Sequence, residues 1–284
     1  MYKLIALDMD GTLLNRHKVI TNEVRDEIKR ILGKNVHVAL STGRFPASVW
    51  LHSQALGLHG PQVALNGSII LDAKTGEPLD TTPIDKDLIV KIHEFARSNG
   101  AYVHFYGYNI LFVEEINDIN RRWDIANVVV DPEKELTPEH YQDQMKYFTI
   151  QEVGDFETFL QTNERPIFKA TVICEHPDRT EELYQQIIKW SSLNVTRTGK
   201  RRFDINAFGV SKKSALEKVS TMLKIKSEEV VAIGDFDNDI EMIRWAGMGV
   251  AMENGNDAIK AVANDMTCSN DDGGVAKAIK KYFL

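Results

Sequence analysis

Short apolar runs that stop on acidic or hydroxyl residues recur along this chain. Lys3–Leu7 ends at Asp8 and the turn residue Gly11. Val36–Leu40 runs into Ser41-Thr42-Gly43-Arg44, and Val230–Ile233 runs into Gly234-Asp235. Runs of this length closed by turn formers predict buried strands. Between the first two, Thr21 opens an amphipathic stretch with Val24, Ile28, Ile31 and Leu32 at helical spacing, which predicts a helix. Further helices are predicted over Phe45–Leu56, over Val210–Leu223 and from Asp235 onward. Strand, helix and strand make a βαβ unit. With Val63-Ala64-Leu65 and the turn signal Asn66-Gly67, the first ~80 residues read as doubly wound.

From about residue 82 to 200 the pattern changes. Helices over Leu88–Ser98 and Asp178–Trp190 are separated by strand-like pieces at Tyr102–Tyr106, Ile110–Val113, Phe148–Gln151 and Phe168–Cys174. The predicted fold is α/β: a Rossmann-like parallel core from residues 1–81 and 201–284, with an α+β domain over 82–200 inserted into it. Hinges are expected near Thr81–Asp85 and Thr198–Phe203. The basic run Arg197–Arg202 reads as a solvated turn near the return to the core.

The 284 residues are 43% hydrophobic and 26% charged, a globular balance that excludes collagen-like or wholly disordered chains. Lys and Arg total 34 against 41 Asp and Glu, a net charge of −7. Such a surface repels nucleic-acid backbones and anionic membranes. Cys174 and Cys268 are the only cysteines, too few for a disulfide framework or a Cys-rich metal site. No apolar run approaches the ~18 residues needed to cross a bilayer, so a cytoplasmic location is expected. Nothing in the sequence specifies an oligomer.

In an open α/β sheet, groups just beyond the carboxyl ends of strands converge on one crevice. Here they are Asp8, Asp10, Thr42, Asp235 and Asp239. Two unit charges 4 Å apart repel by about 4 kcal/mol at an effective dielectric near 20, so such a cluster calls for a cation or raised pKa values. Mg²⁺ prefers oxygen ligands and pairs readily with substrate phosphate. A carboxylate can also accept a phosphoryl group while a second one moves protons. Spacing alone leaves open which of Asp8 and Asp10 does which, and paired turn aspartates are a competing reading.

The motif Asp8-Met9-Asp10-Gly11-Thr12 resembles the first motif of the haloacid-dehalogenase (HAD) superfamily. Thr42-Gly43 is similar to the second, Lys212 in Gly209-Val210-Ser211-Lys212 to the third, and Gly234-Asp235-Phe236-Asp237-Asn238-Asp239 to the fourth. Ser41-Thr42-Gly43-Arg44, Asn66-Gly67 and Gly247–Met252 resemble the Cof-type branch, which carries a type IIB (C2B) cap between the second and third motifs. The resemblance implies a phosphatase with Asp8 as nucleophile and Asp10 as general acid/base. Mg²⁺ would be held by the Asp8 carboxylate, the Asp10 backbone carbonyl and Asp235, with Asp239 supporting the site from behind. Thr42, the Gly43 amide, Lys212 and Asn238 would contact the transferring phosphoryl oxygens, and loop amides around Met9 would add donors. Lys213, where the family often has Gly, is a local departure.

Other residues are weaker candidates for substrate contact. His104 and Tyr106 alternate with Val103 and Phe105, so they are expected on one face of a strand, toward substrate or as the polar face of a sheet. Arg44 and Asn66 follow core strands, and Lys169 and Arg202 are cations suited to an anionic substrate tail. The expected partner is a small phosphorylated metabolite, a sugar phosphate first and a phosphorylated cofactor such as flavin mononucleotide or pyridoxal phosphate second. A sugar phosphomutase and a phosphometabolite sensor are the rival readings.

Overall fold

A computed structural model describes residues 2–123, 127, 128 and 138–284. In chain order its strands are β1 (Leu4–Leu7), β2 (His37–Leu40), β3 (Pro61–Ala64), β4 (Ile69–Asp72), β5 (Pro78–Thr81), β6 (Tyr102–Gly107) and β7 (Ile110–Val113). They continue as β8 (Thr149–Glu152), β9 (Lys169–Ile173), β10 (Leu193–Gly199), β11 (Arg202–Ala207), β12 (Val230–Gly234), β13 (Met248–Met252) and β14 (Asp265–Thr267).

The apolar runs that open and close the chain meet in one parallel sheet of order β14-β13-β12-β1-β2. Leu4 to Leu7 pair in register with Val230 to Ile233 on one side and His37 to Leu40 on the other. Successive strand residues point to opposite faces. Ile5 and Leu7 therefore pack with Val24, Ile28, Ile31 and Ile279 on one side, and Leu4 and Ala6 with Leu216, Val219 and Ile243 on the other. Both faces are covered, which is why these strands read as unbroken apolar runs. Each fully buried Leu or Ile contributes about 1.5–3 kcal/mol. Thr21 caps the helix Asn22–Leu32, its Oγ1 accepting from the Val24 amide.

The third apolar run departs from the doubly wound expectation. β3 touches the parallel sheet through a single Ser41–Val63 bridge and then turns into an antiparallel meander, β3-β4-β5. The reversal occurs at Leu65, Asn66 and Gly67, whose φ angles are 47°, 59° and 108°. Three consecutive left-handed residues turn the chain back on itself at a cost of conformational strain. That turn is held tightly: a Cβ on Gly67 would lie 2.3 Å from the Ser211 carbonyl oxygen.

The second sheet has the order β10-β11-β9-β6-β7-β8. Ile89, Ile92, Phe156, Leu183 and Ile187, from helices Lys86–Ser98, Phe156–Thr162 and Pro177–Ile187, pack on Phe105, Phe112, Phe203 and Ile205 of one face. The opposite face meets the core, where the Phe45 ring lies 4.8 Å from Tyr106 and 4.6 Å from Phe148. β11 pairs with β10 and β9, so the strand following the expected boundary at 201 lies in the inserted sheet. The basic run forms the end of β10, a tight turn and the start of β11. The chain crosses back to the core at 208–211, not at Thr198–Phe203, because hairpin pairing satisfies the backbone of both strands there. Among the described residues no helix is long and apolar enough to cross a membrane.

His104 is fully buried on the core-facing side, against Trp123 and Tyr102 at ring distances of 4.6 and 5.1 Å. Neither ring nitrogen has a hydrogen-bond partner among the described residues. Burial, helped by the nearby Lys169 and Arg202 charges, pushes its pKa down to about 3.

Gly67→Ala is expected to lower unfolding free energy in urea by at least about 2 kcal/mol, through strain and overpacking; a loss under about 0.5 kcal/mol would show that the turn has room. His104 is neutral in the fold, whereas an unfolded histidine takes up a proton as pH falls below 6.5. Its contribution to stability is therefore complete above that pH and is lost as pH falls toward the folded value. Between pH 7 and 5 the loss is about 1–2 kcal/mol. His104→Phe should shrink the difference in stability between these two pH values by that amount, and an unchanged difference would contradict the burial of a neutral imidazole.

Candidate active site

The parallel register brings three neighbouring strand ends together. Asp8 follows β1 and is 5% exposed, Asp235 follows β12, and Thr42 lies just beyond β2. Asp239 enters from the short turn Asp237–Asp239 and is fully buried. Carboxylate oxygens of Asp8, Asp235 and Asp239 lie within 4.8 Å of one another.

Lys212 is the first residue of helix Lys212–Leu223, fixed there by a reciprocal cap. The Ser211 hydroxyl accepts from the Ser214 amide, and the Ser214 hydroxyl from the Ser211 amide. The side chain reaches inward to donate to Asp8 Oδ1 at 2.5 Å and Asp239 Oδ1 at 2.6 Å. The second Asp239 oxygen accepts from the amides of Asp235 and Phe236 at 3.1 and 3.2 Å, which braces the Asp235 loop. Asp235 Oδ1 accepts from Thr12 Oγ1 at 3.0 Å.

One ammonium faces three carboxylates. Burial raises the pKa of Asp8; Lys212 lowers it and Asp239 and Asp10 raise it, leaving a net rise. Burial also raises Asp235, with Asp8 and Asp239 adding to the effect. For Lys212, burial acts downward but the Asp239 and Asp8 charges outweigh it and keep it firmly protonated. A site that holds anions against their preference, with oxygen donors only, fits a hard divalent cation.

Asp10 behaves differently. Its carboxylate turns away from that cluster toward Arg44, whose Nε and Nη2 donate at 2.7 and 2.8 Å, and it also accepts from Lys18 Nζ. Burial acts upward on Asp10, but Arg44 and Lys18 outweigh it and hold the acid well below the usual range.

A cavity of about 480 Å³ opens over these groups, between the parallel core and the inserted sheet. Asp8, Asp10, Thr42, Gly43, Arg44, Asp235 and Asn238 line it from below, and Tyr106, Lys169 and Arg202 from above. His104, expected beside Tyr106, lies behind this wall and is not part of the lining; the strand's inward face there is filled by aromatic packing. Asn66 is buried under the floor. Its amide group donates to Asp204 and its carbonyl oxygen accepts from Asn238 Nδ2 at 3.3 Å. Met9 is wholly buried and its carbonyl accepts from the amides of Thr12 and Leu14, closing the first loop.

The structure adds Lys18, Arg122, Trp123, Thr171, Thr198 and Asp204 to the lining, none of them singled out from the sequence. Asp204 alternates with Phe203 and Ile205, which ordinarily marks a solvated strand face; only the tertiary structure shows that this face is buried.

Comparison with known proteins agrees with this architecture. The family model of the haloacid dehalogenase-like hydrolases matches residues 5–279. Two curated Bacillus subtilis (strain 168) proteins are similar over the whole length. The 5-amino-6-(5-phospho-D-ribitylamino)uracil phosphatase YcsE is 30% identical, covering 99% of this chain and 96% of that protein. The putative phosphatase YxeH is 32% identical, covering 100% and 99%. Among solved structures, a haloacid dehalogenase-like hydrolase from B. subtilis superposes with a TM-score of 0.84 at 26% identity, covering 99% of this chain and 100% of that one. A second, from Bacteroides thetaiotaomicron, gives 0.79 at 26% identity with both chains fully covered. With a parallel sheet that gathers its acidic residues at one end and a second sheet roofing them, this chain belongs to the haloacid dehalogenase-like hydrolase family and is a phosphatase of phosphoryl-transfer type.

Proposed function

We propose that the protein is a Mg²⁺-dependent phosphatase of small phosphomonoesters that works through an aspartyl-phosphate on Asp8. The observation that carries this reading is the meeting of Asp8, Asp235, Asp239 and Lys212 beneath a roofed cavity lined by cations. Residues 82–207 act as the cap in this reading, with crossings near 82–85 and 208–211.

Asp8 Oδ attacks phosphorus, and the bond from phosphorus to the ester oxygen breaks. Asp10 delivers a proton to the departing oxygen, then takes one from the water that releases phosphate from Asp8. Arg44 and Lys18 keep Asp10 ionised, the form needed for the second step. An arriving phosphate dianion competes for both cations and so raises the proton affinity of Asp10 for the first. Thr42, the Gly43 amide, Lys212 and Asn238 steady the phosphoryl oxygens. Asp8, Asp235 and the Asp10 backbone carbonyl would hold Mg²⁺, with Asp239 orienting the Asp235 loop. The ion supplies positive charge where phosphoryl oxygens gather.

The cavity suits a metabolite, since a roofed site excludes phosphoproteins. Arg44, Arg122 and Arg202 favour a leaving group rich in oxygen or carrying a second anion. A sugar phosphate is the first expected class and a phosphorylated cofactor the second; the phosphorylated ribityl compound in the name of YcsE falls within that range.

Phosphate release from a panel of sugar phosphates, flavin mononucleotide and pyridoxal phosphate should require Mg²⁺ and vanish with excess chelator. Release that persists in chelator would rule out the metal, and an isomeric sugar phosphate as product would point to a mutase. Asp8→Asn should cut kcat at least about 1000-fold while inorganic phosphate still binds; near-normal turnover would end the covalent mechanism. Asp10→Asn should slow esters with poor leaving groups more than activated aryl phosphates, and equal losses on both would remove its role as acid.

A further inference from the structure

The inserted sheet reaches the Thr42–Arg44 loop through one buried cation. Lys169 opens β9 and is 4% exposed. Its Nζ donates to the Gly43 carbonyl at 2.8 Å and to Asp204 Oδ2 at 3.1 Å, and sits 4.1 Å from the centroid of the Tyr106 ring. An ammonium has three donors. Two are spent on oxygen, and the ammonium lies over an aromatic ring, itself a favourable site for a cation. Lys169 lines the cavity, yet its two hydrogen bonds and its ring contact all go to the protein.

Asp204, on the adjacent strand β11, anchors this lysine. It also accepts from Asn66 Nδ2 at 2.9 Å, Thr171 Oγ1 at 2.8 Å and Thr198 Oγ1 at 3.2 Å. Those bonds and Lys169 hold Asp204 ionised although burial acts against it. Asn66 closes the circuit from the core side, because its backbone amide donates to the Thr42 carbonyl at 2.9 Å. Both peptide groups around Gly43 are thus pinned, one by Asn66 and the other by Lys169. A glycine loop has the widest backbone freedom of any, so its amides keep a fixed direction only if something external holds its carbonyls.

We propose that Lys169, anchored by Asp204, is a positioning residue that ties the inserted sheet to the Thr42–Arg44 loop and presets that loop to receive phosphate. The proposal rests on the phosphatase reading above and deepens it. It makes cap placement and phosphate affinity two readings of one contact. Cap residues then act on the reaction even where they touch no part of the substrate.

The test compares wild type, Lys169→Met and the double variant Lys169→Met/Asp204→Asn. Binding of inorganic phosphate is measured calorimetrically with Mg²⁺ present, beside melting temperature and the kcat/KM ranking of several esters. The single variant strands a buried carboxylate and should lose both stability and phosphate affinity. The double variant removes that orphan charge, so its melting temperature should recover. Its phosphate affinity should stay at least about tenfold weaker, as expected for losing a charge-assisted hydrogen bond, and kcat/KM should fall for all esters without reordering them. Phosphate affinity within about twofold of wild type would overturn the proposal, twofold being too small for such a bond. So would a reordered ester ranking at unchanged phosphate affinity, which would make Lys169 a leaving-group contact. If the methionine variants do not fold, Asp204→Asn alone keeps the lysine but loosens its anchor. It should weaken phosphate binding at least about threefold, and unchanged binding would overturn the proposal. A wild-type protein that binds no phosphate would instead refute the phosphatase reading, and this proposal with it.

Discussion

Three carboxylates held within 4.8 Å of one another, with a single lysine among them, are a repulsive arrangement that the rest of the molecule must hold in place. Two ionised carboxylates about 4 Å apart repel by about 4 kcal/mol at an effective dielectric near 20, and burial together with that repulsion raises the pKa values of Asp8 and Asp235. The sheet supplies the restraint. Asp8 and Asp235 leave adjacent strands whose four paired positions on each side are fully buried, and neither end can retreat without breaking that register. Lys212 is held by its serine cap, and the left-handed turn at Leu65–Gly67 packs against the carbonyl of the same Ser211. The strain at that turn and the charge at Lys212 are parts of one assembly.

The roof is attached by two kinds of contact. Phe45, Tyr106 and Phe148 form an apolar seam. Beside it runs a polar seam in which Asn66, Lys169, Asp204 and Asn206 satisfy one another and the backbone of Gly43, Leu65 and Phe168. The apolar seam supplies adhesion without direction. The polar seam has direction, because a buried donor left unmet costs about 1–3 kcal/mol. In this placement of the sheet over the floor these donors are met, so the seam favours it over placements that would leave them unpaired.

Much of this was legible in advance where the information is local. Ile110–Val113 was read at its observed bounds, and most of the other segments assigned from the sequence match an observed strand or helix to within a residue or two, whereas β4, β5, β10, β11, β13 and β14 were not assigned. A buried parallel strand and an amphipathic helix each declare themselves over a few residues. The antiparallel meander from β3 to β5 was not legible, because Val63-Ala64-Leu65 looks the same whether it continues a winding or reverses. The decision lies in three positive φ angles, and the sequence announces only two of them, at Asn66 and Gly67. The return to the core was misplaced for a similar reason. A basic run looks like a solvated turn, yet β10 and β11 extend through it, and Arg202 lies over the Trp123 ring at 5.6 Å.

The sequence by itself determined the chemistry on offer: acidic residues and a threonine at the ends of apolar runs, a lysine at a capped helix start, and a change of pattern between them. These are properties of neighbours along the chain, and short-range sterics and burial enforce them. Only the tertiary structure decided which charges face which. Asp10 turns to Arg44 and Lys18 rather than to the other carboxylates, His104 retreats behind Tyr106, and Lys169 gives its donors to Gly43 and Asp204. Apart from Lys18, which is 8 residues from Asp10, the paired groups lie 34 to 126 residues apart. Electrostatic pairing acts through space: Arg44 reaches Asp10 only when β1 and β2 pair, and Lys169 reaches Gly43 only when the two sheets meet.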